Sequence, residues 1–173
     1  MTWLFAYAEL MGEHLLRDYA VQPGVLQGYH RAFVHASPRL WGTPDHPGPR
    51  VGLLPGGECW GLAFDVPWSA RRAMLRRLEP TERSDEYRRL RLPVLLRDGA
   101  RQRAYVWVSR LDRVEGSGWP DEPALVDAVL AAHGNAGRGI EYVRTIFHAL
   151  ELWGIHDPMI EGTWSQLASW RPG

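Results

Sequence analysis

Trp3-Leu4-Phe5-Ala6-Tyr7, running on into Ala8-Glu9-Leu10-Met11, is the stretch from which the rest of the chain can be read. Five apolar and aromatic residues in a row predict a short buried strand, and the next four a turn that opens a helix. Outward from there, Val25 to Val34 mixes apolar and polar residues as a strand does. Pro38 to Arg50, rich in proline and glycine around Trp41, predicts an ordered loop. Val51–Leu54 and Trp60–Val66 are further strand segments, and Pro55-Gly56-Gly57 between them predicts a hairpin turn. Leu90–Leu96 and Arg103–Ser109 predict a second hairpin across Asp98-Gly99. Strand alternation puts Tyr105 and Trp107 on one face of it and Ala104, Val106 and Val108 on the other.

Helical spacing appears first at Ser69–Leu78, where Ala70, Met74 and Leu78 recur at i, i+4 and i+8. It then dominates the C-terminal third. Asp121 is an N-cap before Leu125, Val129 and Ala132, with His133 in the last turn and Gly134 as the stop. Val143, Ile146, Phe147, Leu150 and Trp153 form the stripe of a second helix, stopped by Gly154. Asp157-Pro158 starts a third, with Ile160, Trp164 and Leu167 facing inward. Mixed strands followed by helices point to an α+β fold, and 173 residues suit a single domain over 1–173.

Composition narrows the chemistry. The formal net charge is zero, which gives no electrostatic footprint for nucleic acid or an anionic membrane. Every basic residue is arginine, so lysine chemistry, whether a Schiff base or a P-loop, is excluded. Cys59 is the single cysteine, which rules out an internal disulfide and argues against a thiolate metal site. No apolar run approaches a membrane span and no leader pattern opens the chain, so a cytoplasmic protein is expected.

The usual catalytic signatures are missing. The seven histidines are scattered without metal-binding spacing, and His133 and His148 fall on different helices as helix-end or surface residues. No Gly-x-Ser-x-Gly elbow is present. Gly134 to Gly139 lies between helices rather than after a strand, so it is not a dinucleotide fingerprint. What remains is a group of carboxylates, Glu79, Glu82, Asp85 and Glu86, just beyond a helix ending in Arg76 and Arg77. Such a group is either a solvated loop or, if one member is buried and its proton affinity raised, a general base.

Phe5-Ala6-Tyr7-Ala8-Glu9-Leu10-Met11 resembles the Phe-Gly-Tyr-Gly-Ser-Leu-Met signature of the γ-glutamylcyclotransferases, in particular their ChaC-like, glutathione-directed branch. Further likenesses follow in the family's order. Gly28-Tyr-His-Arg31-Ala-Phe33 resembles its Gly-x-His-Arg-x-Phe strand, and Gly42-Thr-Pro-Asp-His-Pro-Gly48 its Gly-Thr-Pro-Glu-x-Pro-Gly loop. Gly56-Gly57 with Gly61 and Ala63 resembles its glycine hairpin. Leu78-Glu79-Pro80-Thr81-Glu82 resembles Leu-Asp-x-Arg-Glu, and Tyr87-Arg88 a Tyr-Arg pair. Gly134-x-x-Gly137-x-x-x-Glu141-Tyr142 resembles a Gly-x-x-Gly-x-Asn-x-Glu-Tyr segment. The set spans roughly residues 3 to 155.

The resemblance implies a small mixed β-barrel with packed helices and a cofactor-independent enzyme of the lyase or acyltransferase type. In that family the α-amine of a γ-glutamyl compound attacks its own γ-carbonyl and releases 5-oxoproline. No metal and no cofactor is implied, because the nucleophile is already tethered. By residue match Glu82 is the catalytic base and acid, and Glu79 a structural partner. Tyr7, Ala8, Glu9 and Leu10 form the substrate loop, whose N–H groups would hold the substrate's α-carboxylate, with Tyr87 and Tyr142 as further substrate-binding residues. The partner implied is a small γ-glutamyl molecule, with neither nucleic acid nor membrane. Ala6, Ala8 and Glu9 replace two glycines and a serine, Thr81 an arginine, and Gly139 an asparagine. These changes leave two readings: an active enzyme with a shifted substrate, or an inactive domain that binds a small molecule or protein. Retention of Glu82 favours the first.

Overall fold

β1 (Thr2–Ala6), β2 (Ala20–Ser37), β3 (Gly48–Val66), β4 (Tyr87–Leu96) and β5 (Arg101–Ser109) close into a barrel in the order β1-β3-β2-β4-β5. Closure comes from β1, which pairs antiparallel with β3 (Phe5 opposite Ala63) and parallel with β5 (Leu4 beside Tyr105). A closed barrel leaves no strand edge exposed, which is how short strands of this composition avoid pairing with other chains. The protein is described here from a computed structural model covering residues 2–12, 18–79, 84–114 and 118–170. The expected α+β barrel with packed helices is borne out.

The Pro55-Gly56-Gly57 turn is not. Val51–Leu54 and Trp60–Val66 are parts of one continuous strand, β3, and the chain passes straight through the glycines. Gly56 and Gly57 hold φ of 100° and 69°, backbone that favours glycine and that marks a kink inside a strand as readily as a turn. The chain reversal is made instead by residues 38–47, between β2 and β3. At Asp98-Gly99 the expected turn is present: Gly99 has φ 89°, and the Asp98 carboxylate accepts the Ala100 amide at 2.9 Å.

Packing divides the chain into two compact units, Met1–Arg31 with Leu53–Arg113 and Ala32–Gly52 with Val114–Gly173. The first holds β1, β4, β5, the first part of β2, most of β3 and the helix α1 (Arg71–Arg77). Leu4, Phe5, Leu26, Leu62 and Val106 are its fully buried centre. Met74, Leu75 and Leu78 form the buried stripe of α1, and Glu79 at its exit pairs with Arg89 of β4 at 2.5 Å. A four-residue helix, α2 (Leu111–Val114), follows β5.

The second unit is led by α3 (Glu122–Ala131), α4 (Gly139–Leu152) and α5 (Pro158–Ser169). Asp121 caps α3 by accepting the Ala124 amide at 2.8 Å, and Asp157 caps α5 through Ile160 at 3.1 Å, ahead of Pro158. Gly154, with φ 61°, closes α4 while the Ile155 amide reaches back to the Leu150 carbonyl. The predicted stripe of α4 is buried at Val143, Ile146 and Leu150, and Phe147 stacks on Trp164 of α5 with ring centroids 5.5 Å apart. Gly134 does not stop α3. The helix ends at Ala131, and His133–Gly134 and Gly137–Arg138 form a small two-stranded hairpin, β6 and β7, before α4.

Candidate active site

The stretch after β1 is a tight, buried turn. β1 and β3 approach so closely at its base that a Cβ on Gly61 would lie 2.3 Å from the Ala6 carbonyl oxygen, so only glycine fits there. Beyond Ala6 the chain makes one 3-10 turn, Glu9–Gly12, opened by a bond from the Met11 amide to the Ala8 carbonyl at 2.9 Å. Tyr7 and Ala8 are 7% and 5% exposed, while Glu9 and Leu10 are half-buried. The methyl group that replaces a hydrogen at Ala8 is therefore packed inside the turn. A single 3-10 turn carries little macrodipole, so its anion-binding capacity rests on individual N–H groups.

Arg31 of β2 orients those groups. Its side chain is 6% exposed, and it donates from Nε to the Tyr7 carbonyl at 2.7 Å and from Nη2 to the Trp60 carbonyl at 2.5 Å. Charge-assisted bonds of this length are about twice as strong as neutral ones. Across a trans peptide C=O and N–H point in opposite directions. With the Tyr7 oxygen turned onto Arg31, the Ala8 N–H is thus turned away from the guanidinium. Sequence reading quoted Arg31 as part of a motif and missed this role. The available signal was parity: Arg31, Phe33, His35 and Ser37 are all buried at alternate positions of β2, so the arginine stands on an inward-facing row.

The carboxylate group separates into different fates. Glu79 is exposed and paired with Arg89, in keeping with a structural role, and Asp85 is exposed with Arg113 3.8 Å away. Glu86 is 5% exposed, and its carbonyl accepts the Arg110 amide at 2.8 Å. Glu82 lies outside the described residues, as do its neighbours Pro80, Thr81 and Arg83. Tyr87 opens β4 opposite Ser109 and is buried. Within the first unit the structure thus supplies the Tyr7–Leu10 turn, its Arg31 anchor, and buried Glu86 and Tyr87 at the start of β4.

Tyr142 belongs to the second unit. It is fully buried at the start of α4, its hydroxyl oxygen accepts the Val51 amide at 2.9 Å, and its ring lies 5.4 Å from Trp41. These contacts argue for a framework role. They sit among the other glycine-rich motifs. A Cβ on Gly134 would meet the Leu40 carbonyl oxygen at 2.4 Å and the Gly42 nitrogen at 2.5 Å. One on Gly48 would meet the Trp41 carbonyl oxygen at 2.2 Å. The Asn135 and Ala136 amides bond to the Arg39 and Leu40 carbonyls, and the Glu141 carboxylate accepts the Arg138 amide at 2.8 Å. Gly139, where the family pattern has asparagine, is closed to any side chain by the Val129 carbonyl at 2.5 Å.

The model of the ChaC-like protein family matches residues 2–165. A glutathione-specific γ-glutamylcyclotransferase of Escherichia coli K12 is 35% identical over 66 residues, which is 38% of this chain and 29% of the relative's length. Among solved structures, a yeast γ-glutamyl cyclotransferase specific to glutathione superposes with a TM-score of 0.84 at 17% identity, covering 98% of this chain and 96% of that one. A second γ-glutamyl cyclotransferase gives 0.58 at 14% identity, over 99% and 89%. At such identities these structures show a shared fold.

Proposed function

The chain belongs to the ChaC-like family, and we propose that it is a γ-glutamylcyclotransferase that releases 5-oxoproline from glutathione or a related γ-glutamyl amine or peptide. The observation that carries this reading is a family match over residues 2–165, nearly the whole chain; Glu82, through the likeness of Leu78–Glu82 to the family's motif, is the residue we assign the catalytic position. The name of the Escherichia coli relative favours glutathione as the first substrate to test.

In the proposed reaction Glu82 takes a proton from the substrate's α-ammonium. The freed amine attacks the γ-carbonyl carbon, and the C–N bond to the leaving amine breaks as Glu82 returns the proton to that nitrogen; the ring nitrogen's second proton then passes by the same carboxylate to the expelled amine, which leaves as an ammonium. The five-membered lactam forms without a second reactant, so most of the entropic cost of encounter is avoided. The Tyr7–Leu10 turn would supply N–H donors to the substrate's carboxylate or to the developing oxyanion, with the Ala8 N–H aimed by Arg31. Tyr87 would contact the substrate from the start of β4. A cytoplasmic setting follows from the substrate, since reduced glutathione is maintained there.

Measuring 5-oxoproline from glutathione, γ-glutamyl dipeptides and γ-glutamylamines tests the proposal. Turnover is expected from at least one of them, with a loss of at least about 100-fold in Glu82→Gln, the usual contribution of a general base. Glu86→Gln is the companion variant, because Glu86 is the buried carboxylate among the described members of the cluster. If Glu86→Gln abolishes turnover of a folded protein and Glu82→Gln does not, the base is misassigned. Absence of 5-oxoproline from every substrate would leave the binding-module reading in its place.

A further inference from the structure

The zero net charge of the chain conceals a strong segregation. Residues 67–113 carry thirteen arginines against six carboxylates, whereas residues 114–173 carry three against eight. Read as an average, this gives no electrostatic footprint. The strand register shows where part of the excess collects.

Register on the β4–β5 ribbon sets Arg89 opposite Trp107, Arg91 opposite Tyr105, Pro93 opposite Arg103, and Leu95 opposite Arg101. Side chains directly opposite in an antiparallel pair share a face. Val94, Ala104, Val106 and Val108 occupy the other face and are fully buried. One side of the ribbon thus displays four arginines, with Arg91, Arg101 and Arg103 exposed. The Arg89 and Arg91 guanidinium carbons both lie over the Tyr105 ring, 5.8 and 5.6 Å from its centroid. Arg103 is steadied by donating to the Arg91 carbonyl at 2.9 Å. Among the described residues, the carboxylate paired with this face is Glu79, on Arg89.

We propose that this face binds an extended single strand of nucleic acid, a role separate from cyclotransfer. Arginines two residues apart on a strand are about 6.8 Å apart, close to the phosphate step of a stretched single strand. A half-buried tyrosine whose covering guanidiniums turn outward to phosphates is a platform on which a base can stack. A duplex is disfavoured, because reading its grooves takes a protruding helix or ribbon, and these strands are part of a closed barrel. An anionic membrane is disfavoured too, since the exposed apolar side chain on this face is Leu95 alone among the described large hydrophobics.

The test is fluorescence anisotropy of the full chain with a labelled oligothymidylate of about 12 nucleotides, within the usual site size, at roughly 50 and 200 mM salt. Binding near 10 μM at the lower salt is expected, with a log–log salt slope of about −2.1 as Arg91, Arg101 and Arg103, the three not paired with a carboxylate, meet phosphates. Arg91→Gln with Arg103→Gln should reduce that slope by about 1.4. Tyr105→Leu should weaken binding about tenfold and leave the slope unchanged. Arg101→Gln, at the exposed strand end, gives an independent reduction of about 0.7 if the double variant proves unstable. Retained 5-oxoproline release and an unchanged unfolding midpoint would show that the variants are folded. No anisotropy change at low salt overturns the proposal. So does binding that the arginine variants do not alter, or association with phosphatidylserine vesicles that the oligonucleotide cannot displace.

Discussion

The turn at Tyr7–Met11 and the loop–hairpin pair around Gly42 and Gly134 belong to the same family pattern, yet this chain treats them oppositely. In the first, two glycines and a serine have become Ala6, Ala8 and Glu9. In the second, Gly42, Gly48, Gly134 and Gly137 are all kept. The physical difference is what each backbone touches. Gly42, Gly48 and Gly134 are held against main-chain atoms at distances where no Cβ fits. The Tyr7 turn is held by a side chain, Arg31, reaching a carbonyl. A guanidinium on a flexible stem tolerates small shifts in its acceptor; packed backbone does not. At the family's glycine positions, conformity to the pattern therefore follows main-chain crowding here, with crowded Gly139, which stands where the family has asparagine, as a departure of the opposite kind; the proposed substrate loop is where glycines have been lost.

Arg31→Met is the severest way to break that comparison. It leaves the Tyr7 and Trp60 carbonyls without the guanidinium, at about 1–3 kcal/mol for the buried Tyr7 acceptor and less for the part-buried Trp60 one, which keeps the Cys59 thiol as donor. Denaturant unfolding should show that loss. Turnover per folded molecule should fall as well, with Arg31→Lys intermediate because an ammonium keeps charge but not the fork. Full activity in a folded Arg31→Met protein would show that the turn is positioned by something else.

Gly134→Ala probes the other region. The added methyl meets the Leu40 and Gly42 backbones, and overpacking of this kind costs about 3 kcal/mol. The expected result is a lower unfolding midpoint with kcat per folded molecule unchanged. A drop in kcat at full stability would move the chemistry toward this loop and dissolve the contrast. Tyr142→Phe is gentler: it removes the acceptor of the Val51 amide and should cost about 1–2 kcal/mol, again without changing KM. A large rise in KM would support the substrate-binding role expected of Tyr142.

Much of this architecture was legible in the sequence, for identifiable reasons. Strand alternation put Ala104, Val106 and Val108 on one shared face, which is the buried one, and the Asp-Pro and Gly signals placed the start of α5 and the end of α4, because these depend on neighbours close in sequence. Pro55-Gly56-Gly57 was misread since a kink and a turn use the same glycine backbone, and only the distant partner strand decides between them. Parity could set Arg31 on an inward row, but its work there was not legible because its partners are carbonyl groups, which every residue has. That the Tyr142 hydroxyl accepts a strand amide could not be read either, because a tyrosine in sequence carries no sign of which backbone group its hydroxyl meets.

Ala8→Gly gives the smallest effect and the sharpest test. Restoring the family's glycine removes a methyl that is 5% exposed within the turn and adds backbone freedom to the unfolded chain, so stability should fall by about 0.5–1 kcal/mol. If the buried methyl is what narrows the acyl end of the site, the same change should lower KM for glutathione relative to other γ-glutamyl compounds, a shift that a purely structural alanine would not produce. The ratio of kcat/KM between glutathione and a γ-glutamylamine, measured in both proteins, is the readout. A constant ratio would mean that Ala8 drifted without consequence for specificity. A changed ratio would mean that the region released from main-chain crowding is also where the substrate is chosen.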